Sequence, residues 1–142
     1  MYAYHLHNME IVAELNGWTP FASMQCHYNL LYREDERELL PVCRHYNTAI
    51  TPYSPLASGH LARREWHSDS EWWKTGEFMK LKDNSGREQS MSIIARVAKL
   101  ANKRGVPMSD IALAWLYARG APPLSLDAQS PAASTTWYAY LR

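Results

Sequence analysis

Apolar residues fall at helical spacing in four parts of this chain and form short runs in two others. Leu6, Met9, Val12 and Ala13 predict a helix over residues 2–16, and Gly17 offers its stop. Residues 21–26 are short enough for a buried strand. Residues 34–46 open with acidic side chains, which favour a helix N-terminus, and carry Leu39, Leu40, Cys43 and Tyr46 on one side. Pro41 inside that segment predicts a kink or a late start. Residues 49–53 predict a second strand, which Pro52 and Pro55 end quickly. Met91, Ile94, Val97, Ala98 and Ala101 predict an amphipathic helix over 87–104, closed by Gly105. Pro107 can open one more helix, with Ile111, Ala112, Trp115 and Ala118 lining one face up to Gly120.

The order is a β/α alternation, and in parallel α/β folds ligands gather where strands end. The first strand leads into Gln25 and Asn29, the second into Tyr53, Ser54 and Ser58. These side chains suit a nicotinamide dinucleotide. Taken alone, a strand-end Gln or Tyr is an ordinary satisfied polar residue, and S-P-L-A-S-G is a common loop composition.

The strings MQCHYNLLYRE and TPYSPLASGHLAR resemble the sixth and seventh strands of the aldo/keto reductase family, in the branch of aryl-alcohol dehydrogenase-like enzymes and potassium-channel β-subunits. SIIARVAKLANKRGVPMSDIALAWLYARG resembles that family's seventh helical region. The resemblance covers residues 1–120 and only the C-terminal half of the family's barrel. It implies an α/β fold, a partial (β/α)8 TIM barrel of about strands 6 and 7 with flanking helices, followed by an irregular tail.

That resemblance assigns roles to particular residues. Gln25 matches the glutamine that hydrogen-bonds the nicotinamide carboxamide, and Tyr53 the aromatic residue that stacks on the nicotinamide. Ser54, Leu56, Ser58 and Gly59 match the loop around the pyrophosphate; Arg63 and Arg64 receive no role. The implied cofactor is NADP(H), with weak or absent binding by this chain alone, and the implied substrate is a small carbonyl compound reduced reversibly. The family's catalytic Asp, Tyr, Lys and His lie on earlier strands and match nothing here, so no catalytic residue is assigned. The expectation is a truncated, catalytically incompetent reductase. The alternative is a non-enzymatic half-barrel that self-associates or docks on an intact reductase.

Length and composition fit that picture. The chain has 142 residues, whereas a (β/α)8 barrel takes about 250. Hydrophobic content is 46% and charged content 20%, and a net charge of +1 gives no electrostatic reason for nucleic-acid or membrane partners. No apolar run approaches the roughly 18 residues of a membrane span, and the N-terminus lacks a signal-peptide pattern, which makes a cytoplasmic location the expectation. Cys26 and Cys43 form no C-x-x-C pair and read as reduced, partly buried thiols; His5 and His7, two apart on a helix, point in different directions, so no metal is expected.

Two stretches carry further expectations. The loop of about residues 57–87 holds Trp66, Trp72 and Trp73, which suit either an aromatic wall over a substrate pocket or plain packing. Residues 121–142 show no period and read as a flexible, non-native tail. Every residue from Pro123 to Trp137 has a permitted codon such that, read from the third base of the Pro123 codon, the bases spell PIVGCAKPGRIYDL. That string resembles the family's eighth strand and phosphate loop, and it implies a frameshift at this point.

Overall fold

The structure, a computed structural model, describes residues 1–64 and 87–121. The tryptophans of the long loop, the tail beyond Ala121 and the frameshift reading lie outside the described residues. In chain order the elements are helix α1 (Ala3–Leu15), strand β1 (Ser23–His27), a 3-10 turn (Glu34–Glu36), helix α2 (Leu39–His45) and strand β2 (Ala49–Tyr53). A second 3-10 turn (Ala57–Gly59) and helices α3 (Arg87–Arg104) and α4 (Met108–Ala118) follow.

β1 and β2 form a parallel pair in the register Ser23↔Ala49, Gln25↔Thr51 and His27↔Tyr53. A parallel pair needs a crossover, and α2 supplies it. Because side chains alternate along a strand, Cys26 with Ile50 and Pro52 face the helices and are buried. Gln25 and Tyr53 stand exposed on the opposite face, with half-buried His27 and Thr51 beside them. The buried face joins Leu6, Leu39, Leu40, Cys43, Leu113 and Leu116 in one core. A second core forms around Leu61, Ile94, Val97, Ala101 and Ala112, and Leu56 packs against both.

All four described helices end in one way. Gly17, Asn47, Gly105 and Gly120 adopt φ of 65°, 57°, 68° and 71°. The next residue's N–H then reaches back to a carbonyl five residues earlier: Trp18 to Ala13, Thr48 to Cys43, Val106 to Ala101, Ala121 to Leu116. This left-handed cap satisfies carbonyls that the helix leaves open, and Asn47 shows that asparagine also tolerates the conformation.

Four details differ from the sequence expectation. β1 starts at Ser23, two residues later than expected, and runs on to His27. The 34–46 segment is not one helix but a 3-10 turn followed by a helix that begins only at Leu39; this is the late start that Pro41 predicts, and it leaves Pro41 in the first turn, where its missing N–H has no helical partner to lose. α1 buries Ala3, Leu6, Glu10 and Ala13, while Met9 and Val12 are exposed; the carboxylate of Glu10 accepts a 3.0 Å hydrogen bond from Thr48 Oγ1, which explains a charged residue in the stripe. α4 buries Met108, Ala112, Leu113 and Leu116, so its inward face is rotated from the expected one and Ala118 is exposed. Cys26 and Cys43 are free and buried, as expected.

Candidate functional site

The site is built on the exposed face of the sheet, at the C-terminal ends of both strands. Gln25 is exposed opposite Thr51, and its side-chain amide is presented to the space above the sheet. Tyr53 closes β2 and is 46% exposed. One face of that ring is backed by His27, at 5.0 Å between centroids and 14° between planes. His27 also stacks with Tyr32, at 4.4 Å and 22°. Ring contacts on both sides fix the imidazole and through it the orientation of the Tyr53 ring, which leaves the phenol positioned before any ligand arrives. Burial first, then Asp35 and Glu34, raise the Tyr32 phenol above its usual range, so it serves as a neutral ring at physiological pH.

Immediately after β2 the backbone turns through Ser54, Ala57, Ser58 and Gly59 at φ of 55°, 49°, 55° and 94°. For a non-glycine residue this region costs roughly 1–2 kcal/mol. Three such residues in one short loop are a concentration of strain of the kind found where a loop serves a ligand. Gly59 takes its φ of 94° for conformational reasons, since an added Cβ would meet nothing within 4 Å. The amides of Ala57, Gly59, His60 and Leu61 are spent on turn bonds to Ser54, Leu56 and Ala57 carbonyls. Their use inside the turn leaves the Ser54 and Ser58 hydroxyls as the more versatile donors of the loop.

Tyr53, Ser54, Ser58 and Gly59 are thus brought to the C-terminal end of β2, and Gln25 lies mid-strand in β1 on the same sheet face as Tyr53. Leu56 belongs to the same loop, but its side chain packs against both cores, so only its backbone is left for a ligand. Asn29 departs from the role first suggested for it: it is 1% exposed and its amide is occupied by protein groups. Arg64 lines a groove of about 370 Å3 along α3 with Met91, Ile94, Ala98 and Lys99. His27 and Tyr32 were not singled out from sequence. The period of two along β1 carries the signal for His27, since it shares a face with Gln25; Tyr32 lies in a loop, where no period applies.

Beside the site, Tyr28 Oη donates a 2.6 Å hydrogen bond to Glu36 Oε1, and Arg33 Nη2 lies 2.7 Å from Glu36 Oε2. Arg119 Nη2 is 3.4 Å from Glu36 Oε1, and both guanidinium groups lie over the Trp115 ring, at 5.3 and 5.5 Å. This network ties the loop after β1 to the end of α4. Burial and the bond to Glu36 push the Tyr28 phenol up to about 12, while the Arg33 hydrogen bond holds Glu36 below the usual carboxylate range. Burial likewise pushes the Cys26 thiol up to about 12, which makes it a poor nucleophile. Among the described residues no three His, Cys, Asp or Glu side chains converge to hold a metal, and no helix is long and apolar enough to cross a membrane.

The sequence pattern of the aldo/keto reductase family matches residues 3–133. This chain belongs to the aldo/keto reductase family. An aldo-keto reductase of Alternaria alternata is 42% identical over 124 residues, which cover 87% of this chain and 33% of that protein. A Saccharomyces cerevisiae protein named as an aryl-alcohol dehydrogenase is 36% identical over 124 residues, 87% of this chain and 36% of its own. The chain therefore spans about a third of the length of the curated relatives it matches. In three dimensions it resembles a glycerol dehydrogenase from Gluconobacter oxydans, with a TM-score of 0.62 at 23% identity over 81% of this chain and 35% of that one. The likeness establishes the fold: a partial (β/α)8 barrel with a small parallel sheet and its helices.

Proposed function

We propose that this chain carries the nicotinamide and pyrophosphate end of an NADP(H) cradle, from an aldo/keto reductase that reduces aldehydes or ketones reversibly in the manner of aryl-alcohol dehydrogenases. The observation that carries the reading is the placement of Gln25 and Tyr53 on one exposed face of adjacent strands, directly before a loop of left-handed residues. Bound cofactor would supply hydride chemistry. Gln25 would pair with the carboxamide through amide donor and acceptor, which fixes the ring's orientation. Tyr53, backed by His27, would cover one nicotinamide face and leave the other to substrate. Ser54, Ser58 and Gly59 would line the pyrophosphate, with Leu56 contributing backbone alone.

In this reading the proton donor comes from a part of the family fold that this chain does not match, and Tyr53 is a stacking ring. Purified chain is expected to show no NADPH-dependent reduction of an aromatic aldehyde above background. Turnover that survives purification and disappears in Tyr53→Phe would overturn the assignment. Stacking and each loop hydrogen bond contribute on the order of 1 kcal/mol, and a micromolar complex needs about 8 kcal/mol. Binding is therefore expected at millimolar NADPH, measured by titration against tryptophan fluorescence; saturation at micromolar cofactor would contradict it.

A second reading has its own support. Leu15 and Trp18 are 81% and 63% exposed, and Met9, Val12, Trp18 and Phe21 line a groove of about 310 Å3 beside α1. With one sheet face also bare, these surfaces favour association with a second copy or with a complementary part of a reductase barrel. A stable dimer without activity in sedimentation would favour this regulatory or structural role.

A further inference from the structure

Asn29 is a buried amide whose hydrogen bonds run to both parts of the proposed cradle. Its Oδ1 accepts from the N–H groups of Leu31 and Tyr32, both at 2.9 Å, a turn that shapes the loop after β1. Its Nδ2 donates to the Ser54 carbonyl at 2.9 Å, across 25 positions of sequence. The same Nδ2 lies 3.3 Å from Nε2 of His27, the residue whose ring backs Tyr53. An amide nitrogen has two hydrogens in one plane, so one can serve the carbonyl while the other points at the imidazole. That direction requires His27 to carry its own proton on Nδ1.

The Ser54 carbonyl sits at the start of the loop whose residues at φ of 55°, 49°, 55° and 94° would meet the pyrophosphate. A serine held in the left-handed region needs an external constraint, and the hydrogen bond from Asn29 supplies one. We infer that Asn29 is a positioning residue that couples the Tyr53 ring stack to the phosphate loop, so that the two halves of the cradle are set by one side chain. The inference rests on the cofactor reading for its purpose. The coupling itself can be measured without cofactor.

Asn29→Asp keeps the oxygen that accepts from Leu31 and Tyr32 and replaces the donor facing Ser54 with a second oxygen. Hydrogen exchange on the full chain should then show the loop amides of Ala57, Gly59, His60 and Leu61 exchanging at least about tenfold faster. The amides of Leu31 and Tyr32 should stay within about threefold of the unmodified chain. Adding Ser54→Gly, which adopts a positive φ unaided, should restore most of the loop protection. Loop exchange unchanged in Asn29→Asp would overturn the coupling and reduce Asn29 to a local turn residue. Faster exchange spread through α3 and not restored by Ser54→Gly would overturn it too, by making Asn29 a general core residue. Cofactor provides a separate arm: about 5 mM NADPH, near the expected dissociation constant, should slow loop exchange in the unmodified chain and less so in Asn29→Asp. No slowing in the unmodified chain, with the other arms as expected, would remove the cofactor reading and leave the coupling supported.

Discussion

The two faces of the β1–β2 pair are made by alternate residues of the same strands, yet they answer to different demands. Cys26 and Ile50 are buried among Leu40, Leu113 and Leu116, where each side chain is held by volume and shape. Gln25 and Tyr53, their immediate or near neighbours in sequence, are exposed, and Tyr53 is held by its ring contact with His27 at the strand ends. In a barrel the second face would be interior, so the contrast separates what this chain can stabilise by itself from what it presents to the rest of a barrel. Stability resides on the helix side, and the proposed chemistry lies on the other.

The comparison breaks most visibly in unfolding. Leu116 is completely buried, and Leu116→Ala removes a large side chain from the junction of α4 with the sheet. Such substitutions cost about 2–5 kcal/mol, enough to abolish a marginal transition. Gln25→Ala, on the bare face, should change stability by less than about 0.5 kcal/mol. Urea unfolding monitored by circular dichroism decides. Equal costs at the two positions would mean that the exposed face is packed in solution and that the asymmetry is not real.

Association comes next in size. Trp18→Asp with Phe21→Asp places charge in the apolar groove beside α1 and should weaken self-association by at least tenfold, about 1.4 kcal/mol. Gln25→Asp should do less, because its surroundings are polar already. Sedimentation across a concentration series reads both. A chain that is monomeric before any substitution would remove self-association from the second functional reading and leave docking on a complementary part of a barrel.

Cofactor contact is smaller. Tyr53→Ala should weaken millimolar NADPH binding several-fold, on the order of 1 kcal/mol of lost stacking, and His27→Ala should produce a fraction of that through loss of the backing ring. If both leave the titration unchanged while Gln25→Ala abolishes it, the nicotinamide does not stack where the geometry places it.

What could be read from the sequence divides along the same line. β2 and α3 have the expected bounds, because local pattern and capping residues agree there. The inward stripes of α1 and α4 were harder. Met9 and Val12 keep helical spacing but face outward, and Glu10 lies inside because Thr48, distant in sequence, satisfies it. Period alone cannot anticipate a buried carboxylate with a remote partner. At the candidate site, the roles proposed for Gln25 and Tyr53 rest on a family resemblance, and the structure places both on one exposed face. The roles of His27 and Asn29 depend on contacts with Tyr53 and Ser54 across the sheet, which no local pattern encodes.

The smallest effect tests the network that joins the loop after β1 to α4. Glu36 has a carboxyl held below its usual range, chiefly by the Arg33 hydrogen bond, with Tyr28 and the charges of Arg33 and Arg119 adding to it. A carboxylate with a depressed folded-state pKa contributes stability that is present above the unfolded value near 4.3 and is lost as pH falls through the lower folded value. Glu36→Gln keeps the shape and removes the charge, so at neutral pH it should cost no more than about 1 kcal/mol, the range for partly exposed pairs. That gap should close as pH falls from about 5 toward 3, because the native carboxyl becomes neutral as well. Tyr28 gives the alkaline counterpart: with its phenol pushed up to about 12, its contribution is intact below about pH 10 and fades above it. Urea midpoints for both chains between pH 3 and pH 7 measure the acid limb. A gap that stays constant across that range would show that Glu36 acts through shape and hydrogen bonding alone, and that its charge adds nothing to the fastening of α4 on the helix-covered face.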